Sequence, residues 1–177
     1  MSVGTIVTIV LLMSVLVLGI FLINKIFTSG TNAIDQIDAQ VQSEINKLFS
    51  EEGLKLVVYP SSKDITLKKG DKPRGFAFSI SNKEPEQNTF TYKVQSEETF
   101  DFRAKCGSTI SKTKADNYLL IDSGEISLGP SSSMDTPELV RFDVPETAPS
   151  CTIPYKINVW YQGGVPYTQA RLFVTIK

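Results

Sequence analysis

The sequence predicts a mainly β protein, an antiparallel β-sandwich of about seven or more strands behind a long N-terminal helix. Three observations predict it: an opening run without charge, a change of hydrophobic period from 3.6 to 2 near Leu54, and turn formers between the later runs.

The opening run, MSVGTIVTIVLLMSVLVLGIFLINKIF, carries no charge before Lys25. Residues 5–23 are nineteen in number, and at the helical rise they span roughly 28 Å, close to the hydrocarbon core of a bilayer. A cleaved secretory signal would begin with basic residues and end at a small-residue cleavage site. Residues 1–4 contain no Lys or Arg, and no A-x-A pattern follows Ile23. A core helix of a small domain keeps a polar face, which this run lacks. Residues 1–27 therefore read as a membrane span or a helix in the core of an assembly. Ile9, Leu12, Leu16, Ile20 and Ile23 are the side chains expected to meet lipid or neighbouring copies.

Residues 28–53 read as an amphipathic helical connector. After the turn formers TSGTN, the residues Ile34, Ile37, Val41, Ile45 and Leu48 recur at spacings of three and four among polar neighbours. The spacing predicts a helix over about 32–51, capped by Thr31 or Asn32, with Asp35 at its positive end and Gly53 stopping it in the left-handed conformation. One narrow apolar stripe needs a cover, either the following domain or the same helix of a neighbouring subunit.

Residues 54–177 suffice for one domain with its own core. Period-2 runs appear at Leu54/Leu56/Val58, Phe76/Phe78/Ile80, Phe90/Tyr92/Val94, Phe100/Phe102, Val140/Phe142/Val144, Tyr155/Ile157/Val159 and Leu172/Val174/Ile176. The stretch YQGGVPY joins the last two through Gly163 and Gly164 and predicts an antiparallel hairpin. Residues 112–117 read as a polar stretch and 129–137 as a loop, and no further helix is expected.

Composition excludes more functions than it suggests. The chain has 18 Lys and Arg against 19 Asp and Glu, so nothing electrostatic points to nucleic acid. It has no His, the commonest general base and transition-metal ligand. Nucleophile elbow, phosphate loop, dinucleotide fingerprint and HExxH are missing. We expect no enzyme, no cofactor and no metal, since pairs such as Glu51 with Glu52 and Glu97 with Glu98 lack calcium-loop spacing.

Cys106 and Cys151 are too few for a structural zinc site, which leaves a disulfide or two free thiols. The bridge is preferred, because disulfides persist on extracellular faces. Trp160, Tyr161 and Tyr167 stand close in sequence as candidates for an exposed aromatic contact, with Trp160 facing out and Val159 in.

Two resemblances follow. The segments SSKDITLKKGDKPRGFAFSISN and ISLGPSSSMDTPELVRFDVPETAPSCTIPYKINVWYQGGVPYTQARLFVTIK resemble immunoglobulin-like modules of archaeal and bacterial surface proteins, with Lys68, Lys69, Gly70, Asn82, Val144, Pro145 and Tyr155 matching in order. That implies an immunoglobulin-like sandwich and says little about ligand. The layout of hydrophobic helix, amphipathic helix and β head is similar to that of archaeal type IV pilin-like proteins: archaellins, adhesive pilins and the membrane-anchored stator proteins of the archaellum. It implies a non-enzymatic cell-surface subunit of a filament built through the N-terminal helix, or a single-pass anchored binding module. Expected partners are further copies, the membrane, and an envelope or surface-layer component. Lys25 alone says little about orientation, and the paired cysteines place the head outside the cell.

Overall fold

Alternation along the strands decides which layers form. The computed structural model describes residues 3–28, 34 and 36–177, apart from the side chains of 3, 5, 6, 8, 9, 21–28, 51 and 52. It divides into two compact units, Met1–Thr31 and Asn32–Lys177. The first unit holds helix α1 (Val3–Thr28). Among the described residues, no helix is long and apolar enough to cross a membrane.

The second unit runs α2 (Ala39–Glu52), β1 (Leu56–Tyr59), β2 (Asp64–Leu67), β3 (Arg74–Ile80), β4 (Asn88–Ser96), α3 (Phe102–Cys106), α4 (Lys112–Asp116), β5 (Ser123–Leu128), β6 (Glu138–Phe142), β7 (Thr152–Tyr161) and β8 (Pro166–Ile176). The eight strands form two sheets, ordered β1-β3-β6 and β2-β8-β7-β4-β5. The mainly β, two-sheet reading is thus met. Among the described residues pairing is antiparallel with one exception, since β2 runs parallel to β8. That corrects the purely antiparallel expectation. The chain crosses from one sheet to the other between β1 and β2, so β2 has no hairpin partner and joins the free side of β8 in the same direction.

Inward residues of both sheets form one core. Leu56, Val58, Phe76, Phe78, Ile80, Val140 and Phe142 meet Phe90, Tyr92, Val94, Tyr155, Ile157, Val159, Leu172, Val174 and Ile176. Every one was assigned inward by period 2. Leu54 lies outside the strand and is 37 % exposed. The β7–β8 hairpin closes as expected, with Gly163 at φ 105° and Gly164 at φ 87°, both left-handed values that favour glycine.

Strand β3 is buried on both faces. Phe76, Phe78 and Ile80 point into the core, while Gly75, Ala77 and Ser79, all small, face the other way. On that outer side Val41 and Ile45 of α2 bury against Val57 and Ala77, with Ile34, Ile37, Leu48, Phe49 and Tyr59 around them. The stripe is therefore covered within its own chain, the first of the two covers considered.

The helix starts later than expected. Asp38 is the N-cap, its Oδ1 accepting from the backbone N–H of Gln40 and Val41, each at 3.0 Å. Ile34 is a bridge residue, donating to the Gly75 carbonyl at 2.8 Å and accepting from its N–H at 2.6 Å. Ile34 and Ile37 share the apolar stripe because they dock on the same sheet face from outside the helix. The expected caps Thr31 and Asn32, and Asp35, lie outside the described residues. Gly53 ends the helix at φ 61°, its N–H donating to the Phe49 carbonyl, as its position implied.

Two short helices replace elements read otherwise. Phe100/Phe102 is no strand: Asp101 caps α3 by accepting from the Ala104 N–H at 3.0 Å, and Phe102 and Cys106, four apart, turn inward together. The polar stretch 112–117 contains α4, capped by Ser111 and crossed by a Lys112–Asp116 ion pair at 2.9 Å. Strand β5, at the sheet edge, went unread because little of it is buried.

Candidate interaction surfaces

On α1, Val10, Leu11, Leu12, Met13, Val15, Leu16, Val17 and Leu18 are all between 59 % and 67 % exposed, and Val7 and Ile20 are above half. Successive helical residues point about 100° apart, so exposure of consecutive positions means an apolar surface on every side. Ser14 fits this surface, because its hydroxyl donates to the Leu11 carbonyl at 2.8 Å and presents no unmet donor. Leu12, Leu16 and Ile20 are thus exposed apolar side chains; those of Ile9 and Ile23 lie outside the described residues.

The connector residues sit differently. Val41 and Ile45 are 3 % and 1 % exposed, while Ile34, Ile37 and Leu48 are half-buried beside them. A contact with another copy through Val41 or Ile45 would first require α2 to leave the sheet.

Cys106 and Cys151 are bonded to each other, with Cα atoms 5.3 Å apart. The bond ties α3 to the start of β7. Alongside it, the buried Tyr155 hydroxyl donates to the Ala115 carbonyl at 2.8 Å, and Asp116 accepts from the Ser96 N–H at 2.6 Å, so α4 is pinned to the same end of the sandwich. Burial, with Asp116 nearby, holds the Tyr155 phenol far above its usual pKa.

The three aromatics expected in one contact separate. Tyr167 is 8 % exposed; its hydroxyl donates to the Ser81 carbonyl at 2.7 Å and accepts from the Lys83 N–H. Its ring packs 4.7 Å from Phe90 and 4.9 Å from Tyr161, and the Lys55 ammonium sits 4.4 Å from its centre. Tyr161 donates to Glu84 at 3.0 Å, and burial together with that carboxylate pushes its phenol up to about 12. These two tyrosines close one end of the core. Trp160 stays on the outer face of the five-stranded sheet, half-buried, as the alternation said.

Beside Trp160, Glu97, which the sequence showed only as half of an acidic pair with Glu98, belongs to an ion-paired group. Glu97, only 12 % exposed at its side chain, is 3.2 Å from the Lys156 ammonium and also pairs with Arg171. Lys156 and Arg171 are cross-strand partners in β7 and β8, a register invisible before the hairpin is placed. Among the described residues no group of three or more His, Cys, Asp or Glu side chains is placed to hold a metal.

No family model matches the chain, and no curated protein matches it. Among solved structures, WR4, a C. elegans MSP family member, is similar over 70 % of this chain and 98 % of that one, at 9 % identity and a TM-score of 0.38. A likeness at that level carries no argument about fold or function.

Proposed function

We propose that this chain is a non-enzymatic cell-surface structural protein, a pilin-like subunit whose long N-terminal helix packs with its copies to form a filament core. The immunoglobulin-like head is displayed outside the cell. The observation that supports this reading is α1 itself, apolar and exposed around its whole circumference. Water is an unfavourable neighbour for such a surface at about 25 cal/mol per Å², so lipid or other apolar helices are the surroundings it fits. The Cys106–Cys151 bond suits an oxidising exterior.

A second reading has its own support. Val41 and Ile45 are covered by the chain's own β1 and β3, which leaves α1 to hold copies together unaided. A single-pass membrane-anchored binding module, or an archaellum stator-like accessory protein, needs nothing more than α1 in a bilayer.

Leu16→Lys separates the two. A lysine at the middle of the run costs on the order of 3 kcal/mol in an apolar medium. In a filament subunit, electron microscopy of sheared surface material should show filaments for the parent chain and none for the variant. Filaments missing from the parent under all growth conditions, with the variant merely released from membranes, assign the chain to the anchored class.

A further inference from the structure

We infer that the outer face of the five-stranded sheet around Trp160 binds a neutral saccharide chain. This goes beyond the proposed structural role and holds for a filament subunit and for a single anchored copy alike.

The sheet places the indole with care. The β7–β8 register shifts between Val159 and Trp160, an irregularity of the kind that re-aims a side chain. Trp160, the one tryptophan of the chain, is half-buried on the outer face between Thr91 of β4 and Pro166 of β8, with Asn158 as the next outward residue of β7.

Trp160 and Asn158 line two hollows at once, one of about 330 Å³ that also touches Gln95 and Glu97, the other of about 260 Å³ that reaches Gln169. The two hollows share Trp160 and Asn158 as walls, one reaching toward β4 and the other toward β8. Two adjoining hollows on one face suit a ligand of repeating units.

Charge selects the class. Glu97 is paired with both Lys156 and Arg171, so its carboxylate is spent on neighbouring cations. Lys93, Lys156 and Arg171 on this face are matched by Glu97, Glu98 and Glu125, so an anionic polymer such as nucleic acid finds no net positive charge here. What remains available is an aromatic plane with the amides of Asn158, Gln95 and Gln169, each able to donate and accept. A sugar ring has the matching pair of features: a C–H face that stacks on indole, and edge hydroxyls that both donate and accept.

The single tryptophan makes the test direct. The full chain is taken up in a zwitterionic detergent without a sugar headgroup, and its emission is followed while maltohexaose, cellohexaose, mannohexaose and chitohexaose are added separately. Expected is a saturable shift with at least one of them below about 10 mM. By calorimetry Asn158→Ala should weaken that binding about tenfold and Trp160→Ala should abolish it, while the thermal transition seen by circular dichroism stays put. Gln169→Ala, at an exposed position, provides a second reading should Trp160→Ala perturb folding. The proposal is overturned by any of three results: no saturable shift with all four probes, binding retained by Trp160→Ala, or an emission shift that depends on protein concentration alone, which would mean that a second copy fills the hollows.

Discussion

Asn82 shows how much one side chain can hold. Fully buried, it donates to the carbonyls of Glu86 at 2.7 Å and Gly129 at 2.9 Å and accepts from the Glu84 N–H at 3.1 Å, so it fixes the turn between β3 and β4 against the end of β5. Asn82→Ala removes these bonds and leaves the Glu84 N–H without its acceptor, while the Glu86 and Gly129 carbonyls keep Asn88 and Ser132 as donors, so denaturant titration of the full chain in detergent should show a loss of about 1–2 kcal/mol. Asn82 stood out in the sequence through its resemblance to surface modules, since a lone Asn after a strand is otherwise a turn former like any other. Trp160 was legible from period 2 alone. Tyr167 was not, because whether it faces in depends on how the hairpin closes and on the register shift next to Trp160.

At the scale of elements, the apolar stripe predicted a buried helix face and could not name its cover. The clue lay in β3: RGFAFSI alternates large residues with Gly75, Ala77 and Ser79, and small side chains on a strand's second face leave room for a helix. Ile45→Ala should therefore cost about 2–4 kcal/mol. Hydrogen exchange should locate the loss, with α2 amides exchanging faster than those of β4 and β7. Unchanged exchange in α2 would mean that its docking is not what protects it. Gly75 is equally constrained, since a Cβ there would collide with the Val140 carbonyl oxygen and come within 2.8 Å of its carbon. The short helices escaped detection for a simpler reason. Five residues make barely more than one turn, too short for a period to register, and the Asp101 and Ser111 caps were the only marks they left.

Across the whole molecule, the tyrosines form a common alkaline limit. Tyr59, Tyr92, Tyr118, Tyr155, Tyr161 and Tyr167 all have phenols raised by burial, with Glu138 adding to the effect at Tyr92 and Glu84 at Tyr161. Unfolded tyrosines ionise near pH 10 while the folded ones keep their protons, so stability is full below that pH and falls as pH rises beyond it. Phenolate absorbance should accordingly lag behind that of free tyrosine and then climb together with loss of β signal; ionisation near pH 10 in a still-folded chain would contradict the burial described. The strand order carries one more consequence, for the timing of synthesis. Among the described residues strand β2 pairs with β8 alone, and Asp64 must wait for Phe173. At ribosomal speed that gap of 109 residues (173 − 64) lasts roughly 5–20 s. Through that interval β2 is an unpaired edge offered to any neighbouring chain, so sequence changes in it should lower the yield of newly made protein more than the stability of finished molecules.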